Sequence, residues 1–196
     1  MQEDYPNREE ERGLIQRFED QLNQKNFSFF DVTELEVIIQ FYLDRLKYGK
    51  ALKACRLAIE QYPFSQEISL LMAQCFIGKE DYEEAMRVIE NAQNIHPNDV
   101  DLNTVKGTLY SFMGDYDKAV EILYSTLEYA EDKSEVYYNI GLTYQTNSKF
   151  REAIEVYKKA IEANINHESA LYELAYCLDV LGELDGSIEY YQQFID

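Results

Sequence analysis

The stretch Ser134 to His167, SEVYYNIGLTYQTNSKFREAIEVYKKAIEANINH, decides the fold. Val136, Tyr137, Ile140, Gly141 and Tyr144 recur at three- and four-residue steps, which makes one face of a helix apolar. Asn147-Ser148-Lys149 breaks the pattern. Phe150, Ala153, Ile154, Tyr157, Ala160 and Ile161 resume it on a second helix. A short polar turn between two amphipathic helices predicts an antiparallel hairpin. Gly141 and Ala153 are small where bulk is the rule, so the two helices should approach closely there, with Tyr137, Tyr144 and Tyr157 filling the space around the crossing.

The hairpin is one of a series. Ala51, Ala85, Ala119 and Ala153 are each 34 residues apart, and Pro63 and Pro97, Gly107 and Gly141, and Tyr48, Tyr82 and Tyr116 keep the same interval. A fixed period of this length marks stacked supersecondary units. It predicts repeats over 32–65, 66–99, 100–133 and 134–167, with a partial one over 168–196. Pro63 and Pro97 should stop the second helices of their hairpins. Asp31 with Glu34, and Asp81 with Glu84, have the spacing of helix-capping boxes.

These features resemble the tetratricopeptide repeat family: the small–large alternation, the late alanine, the terminal proline and the turn phrase Gly-Asp-Tyr-Asp-Lys-Ala at 114–119. The resemblance covers roughly residues 32 to 196. Ile39 where a small residue is usual, Ser187 in place of alanine, and Glu131 and Ile165 in place of proline depart from the pattern without breaking it. The resemblance implies an all-α fold, an α-solenoid (a right-handed superhelix) of stacked antiparallel helix hairpins. The phrase Val136 to Tyr144 is also similar to repeats in bacterial members of the family.

Residues 1–31 fall outside the period. Arg8 to Gln24 can form a helix with Leu14, Ile15, Phe18 and Leu22 on one side, followed by Phe27, Phe29 and Phe30. An extra helix over the uncovered face of a terminal repeat is the expected cap, and a docking segment for a partner is the alternative. At the other end, Asp196 falls inside the second helix of the fifth hairpin. Ile188, Tyr191, Phe194 and Ile195 should lie open there, as an interface or as the edge of a longer array.

Composition narrows the function. With 37 acidic and 18 basic residues the net charge is −19. That field repels nucleic acid and anionic membranes, and argues against an RNA-binding helical repeat. The amino terminus has no signal-peptide pattern, and no stretch approaches the ~20 apolar residues of a membrane span; a cytoplasmic protein is expected. Cys55, Cys75 and Cys177 lack disulfide logic and read as small buried apolar residues. His96 and His167 have no metal-ligand spacing, no phosphate loop is present, and no serine or cysteine has a base partner in the sequence. No enzyme, metal or cofactor is expected.

The resemblance points instead to a concave groove lined by the first helices of successive hairpins. The candidate groove residues it implies are Gln74, Thr108, Phe112, Tyr138, Asn139, Leu142, Gln145, Tyr172, Glu173, Tyr176 and Asp179. Tyr138 and Tyr172, one repeat apart, should stack side by side. Tyrosines of this kind suit binding hot spots, and packing against neighbouring helices is the plainer alternative. Asn139 matches an asparagine of the family's carboxylate clamp, but its basic partners are absent, so that clamp is not expected. Residues 168–196 carry seven acidic side chains and no basic one, which favours a basic or amphipathic protein or peptide partner. The expectation is a protein–protein interaction scaffold. The alternatives are an assembly module with no ligand site of its own in this segment, and self-association through the open carboxyl-terminal end.

Overall fold

The computed structural model describes residues 8–23 and 28–195. The reading of the extreme amino terminus, and those placed on Gln24, Phe27 and Asp196, lie outside the described residues. Among the described residues there are eleven α-helices and no strand, in two compact units. Unit 1, Met1–Ile95, holds α1 (Arg8–Leu22), α2 (Val32–Leu43), α3 (Tyr48–Gln61), α4 (Gln66–Ile77) and α5 (Tyr82–Gln93). Unit 2, His96–Asp196, holds α6 (Val100–Phe112), α7 (Tyr116–Thr126), α8 (Ser134–Thr146), α9 (Phe150–Ala163), α10 (Glu168–Val180) and α11 (Leu184–Ile195). First helices of the hairpins begin at 32, 66, 100, 134 and 168, and second helices at 48, 82, 116, 150 and 184. The period in the sequence is therefore a period in the backbone. The division at residue 95 has no counterpart in it.

Each start has a chemical cause. A helix leaves its first amides unsatisfied, and a side-chain oxygen just before it can accept from one of them. Asp31 accepts from the Glu34 amide at 2.8 Å while its own amide donates to Glu34 Oε2 at 3.1 Å, a complete capping box. Ser65 and Asp99 cap α4 and α6 by accepting the Ile68 and Leu102 amides, without the reciprocal bond. Asp81 accepts from the Glu84 amide, but the Glu84 side chain turns to Arg87. The second box is thus only half made.

The turns within the hairpins are also alike. Leu46, Glu80, Gly114, Ser148 and Gly182 all have positive φ, between 54° and 82°. The next residue in each turn donates its amide to a carbonyl five positions back: Lys47 to Tyr42, Asp81 to Phe76, Asp115 to Tyr110, Lys149 to Tyr144 and Glu183 to Leu178. This is the Schellman arrangement, which satisfies the last carbonyls of the first helix and reverses the chain in three residues.

Within a hairpin, small residues set the approach. A Cβ on Gly141 would lie 2.3 Å from the Tyr157 ring, and one on Gly107 would lie 2.6 Å from Leu123. Ala51, Ala85, Ala119 and Ala153 are fully buried at the same crossing. All three cysteines are buried free thiols. Ser187, in the alanine slot of α11, is buried and donates to the Leu184 carbonyl.

In unit 1, α1 packs on α2, with Leu14, Ile15 and Phe18 buried and the Phe18 ring against Phe30 and Tyr42. Arg17 pairs with Glu34 at 2.8 Å, and Glu19 takes hydrogen bonds from Tyr42 and Lys50. The prolines behave differently from one another. α3 ends at Gln61 and Tyr62 is non-helical directly before Pro63, as proline requires of its predecessor. α5 instead ends at Gln93 with Asn94 as its cap, so Pro97 lies in the following loop and does not stop the helix.

Candidate functional site

In unit 2 the first helices α6, α8 and α10 are neighbours, α6 against α8 and α8 against α10. Ten of the eleven candidate residues lie on these three helices; Gln74 is exposed on α4 of unit 1. The ten separate into those whose polar atoms are already engaged and those that face outward.

Gln145 is the most engaged. Its Nε2 donates to Glu173 Oε2 at 2.7 Å, and its Oε1 accepts from the Tyr157 hydroxyl at 2.7 Å and from Cys177 Sγ at 3.2 Å. This amide ties α8, α9 and α10 together. Burial, with the Glu173 carboxylate nearby, pushes the Cys177 thiol up to about 12. Thr108 donates to the Thr104 carbonyl and Asn139 to the Glu135 carbonyl, so both spend a hydrogen bond on their own helices.

Tyr138 and Tyr172 do not stack on each other. The Tyr138 ring turns inward, 6.0 Å from Tyr157 and 5.0 Å from His167, and burial followed by the Glu173 charge raises its hydroxyl pKa. Tyr172 lies against Tyr191 and Phe194 of α11, at 5.8 and 5.7 Å, and is still 45% exposed. One repeat of separation puts the two residues in equivalent slots, but each ring is claimed by the second helix beside its own. Tyr176, Phe112 and Asp179 face outward, and Leu142 and Glu173 are half-buried.

An acidic cleft and a histidine cap are two features that the residue types did not announce. The first is an acidic cleft of about 460 Å³ between α6, α8 and the loop before α8. Val100, Val136, Tyr129 and Ala130 supply apolar lining. Asp101, Glu131, Asp132 and Glu135 supply carboxylates, and no basic residue lines it. Thr104 and Asn139 complete it. Its one visible sequence signal is Asp101 and Glu135, acidic in the same slot one period apart. The Asp132 carboxyl is held below its usual range by the side-chain and backbone hydrogen bonds of Ser134.

The second is His167. It occupies the slot filled by Ser65 and Asp99 before α4 and α6, and caps α10 by accepting the Ala170 amide on Nδ1 at 3.2 Å. The acceptor nitrogen is unprotonated, so the proton of the neutral ring is on Nε2. That atom is buried, 3.4 Å from Glu135 Oε1, without making a hydrogen bond.

Exposed apolar side chains gather on α11: Leu184, Ile188, Phe194 and Ile195, with Tyr191 half-buried. Among the described residues no three His, Cys, Asp or Glu side chains gather as a metal-binding set, and no helix is long and apolar enough to cross a membrane.

An all-helical array of repeated hairpins, with a cleft on the first helices of unit 2, defines the class as a helical-repeat protein. Tetratricopeptide repeat models match residues 42–109, 100–133, 134–167 and 169–196. The chain belongs to the tetratricopeptide repeat family, whose members generally serve as non-catalytic scaffolds for protein–protein contacts. Its fold is similar to the crystal structure of TTC0263, a thermophilic tetratricopeptide repeat protein of Thermus thermophilus, with a TM-score of 0.70 and 20% identity over 87% of this chain and 91% of that one. It is also similar to the crystal structure of MamA, with a TM-score of 0.61 and 15% identity over 86% of this chain and 95% of that one. No curated protein matches the sequence.

Proposed function

We propose that the first-helix face of unit 2 holds a basic or amphipathic segment of a partner protein. The acidic cleft supports this reading: four carboxylates around apolar lining, with no lysine or arginine among them, suit a Lys or Arg side chain whose aliphatic stem also needs cover. Further along, Tyr176 and Asp179 on α10 offer an aromatic surface beside a negative charge. This role would be a non-catalytic one, in the cytoplasm. The exposed apolar residues of α11 favour a second reading, self-association through that end.

The test is titration of a labelled 12-residue Lys/Leu peptide into the protein and two variants. Tyr172 supports α11, so Tyr176→Ala is the cleaner aromatic probe, and Glu131→Lys with Glu135→Lys probes the cleft. Each should weaken binding about five- to tenfold with unchanged helicity, the charge reversal also flattening the salt dependence. Equal binding by all three proteins would remove the groove. Sedimentation that shows a strict monomer at high concentration would remove self-association.

A further inference from the structure

Unit 1 has a cleft of opposite sign. It is a shallow depression of about 500 Å³, wide open to solvent, between the turn that joins α2 to α3 and the turn that follows α4. Four lysines line it, Lys47, Lys50, Lys53 and Lys79, and no carboxylate does. In a chain with 37 acidic and 18 basic residues that local excess stands out. Lys50 is paired with Glu19. Lys47, Lys53 and Lys79 are exposed and form no close ion pair among the described residues, although the Glu19 charge also reaches Lys47. Nearby Asp44 is engaged by Gln40 at 2.6 Å and Asp81 by the Glu84 amide. Glu80, next to Lys79, stays outside the lining.

The cleft is held in shape. The Tyr48 ring lies over Gly78, where a Cβ would sit 2.3 Å from it, and this contact fixes the start of α3 against the end of α4. Gly49 is exposed, and a Cβ there would point into open space.

Two adjacent residues on its rim serve the fold poorly. Leu46 has φ 54° and is 71% exposed. The same turn position holds Gly114 and Gly182, which take positive φ without strain, or the polar Glu80 and Ser148. Lys47 stands in the slot where Asp81 and Asp115 cap their helices, and it makes no capping bond. Lys149 shares that slot, but Ser148 precedes it rather than a leucine. An exposed leucine in a glycine conformation beside a lysine in a capping slot brings the hairpin itself no visible gain.

We infer that this cleft is a docking site for an acidic protein segment that carries an apolar side chain. The lysines would take its carboxylates, and Leu46 with the Tyr48 ring would take the apolar group. A free phosphate would leave the leucine unused. A nucleic-acid strand would extend beyond the four lysines into the field of a chain with net charge −19. The site lies in the other unit from the acidic cleft and takes a partner of opposite charge, so it stands without that proposal.

The experiment is fluorescence anisotropy with a labelled 12-residue peptide of repeating Glu-Glu-Leu. Inorganic phosphate and a 12-nucleotide oligothymidine serve as competitors. The full chain should bind saturably. Lys47→Glu with Lys53→Glu and Lys79→Glu should weaken binding by about tenfold or more. Leu46→Gly with Lys47→Asp gives the turn the residues of Gly114-Asp115, and decides the matter should the charge reversals impair folding. It should unfold at the same or a higher temperature yet bind several-fold more weakly, a combination a purely structural role cannot produce. No saturation at about 1 mM peptide would overturn the assignment. So would an affinity in both variants equal to that of the unaltered chain, displacement by millimolar phosphate, or tighter binding of the oligothymidine.

Discussion

At the scale of the residue, two side chains show what the repeat demands. Gly141 lies under the Tyr157 ring, and that ring is pinned by its hydroxyl to Gln145. Gly141→Ala gains about 1 kcal/mol in helix propensity but forces a contact the ring cannot relieve, so a net loss of about 1–2 kcal/mol is predicted. Denaturant unfolding that finds the variant equally stable would show the crossing to be looser than described. His167 is the second case. His167→Ala should cost about 1 kcal/mol through loss of the α10 cap, and His167→Asn should restore most of it; thermal melts of the two variants check this. The glycine was legible in the sequence, because a small residue recurs there at the period. The histidine was not. Its ring stands in for a cap that is usually a hydroxyl or carboxylate, and only its slot, 34 residues on from Lys133 and 68 from Asp99, pointed to it.

At the scale of the element, α1 is the most conditional piece of unit 1. Glu19 receives Lys50 and Tyr42, and these hydrogen bonds, Lys50 first, hold its carboxyl below the usual range against the opposing effect of burial. A carboxyl lowered in this way stabilises the folded state fully above its unfolded value of about 4.3 and loses that contribution as pH falls through the lower folded value. On acidification α1 should therefore lose hydrogen-exchange protection before α2 to α5 do. Glu19→Gln should reproduce the loss at neutral pH and add little in acid. Simultaneous loss of protection in all five helices would contradict this. Helix starts were legible here because period, cap and apolar face agreed with one another. Helix ends were less so: Pro63 closes α3, while α5 ends before Pro97 is reached. The stack of Tyr138 on Tyr172 also failed, because a one-period spacing gives equivalent positions and not contact. Which ring meets which depends on the second helices, through Tyr157 for one and Tyr191 for the other.

At the scale of the whole molecule, the charge of −19 is unevenly spread. Four carboxylates line one cleft of unit 2 and four lysines line one cleft of unit 1. The sequence showed the net charge and the acidic run at 168–196. It did not show either cleft: three charges of each are close in the sequence, Lys47, Lys50 and Lys53 in one and Glu131, Asp132 and Glu135 in the other, but the fourth, Lys79 or Asp101, comes from a neighbouring hairpin that only folding brings alongside. The fold class and the family were legible in the period and in the residue types that recur with it; the binding surface rests on this three-dimensional sorting. The most direct measurement is a backbone-amide NMR titration of the full chain with the Lys/Leu peptide. Shifts concentrated at Val100 to Thr104 and Tyr129 to Asn139, extending to Tyr176 and Asp179 and shrinking with added salt, are predicted. Shifts confined to α1–α5, or none at saturating peptide, would contradict the account.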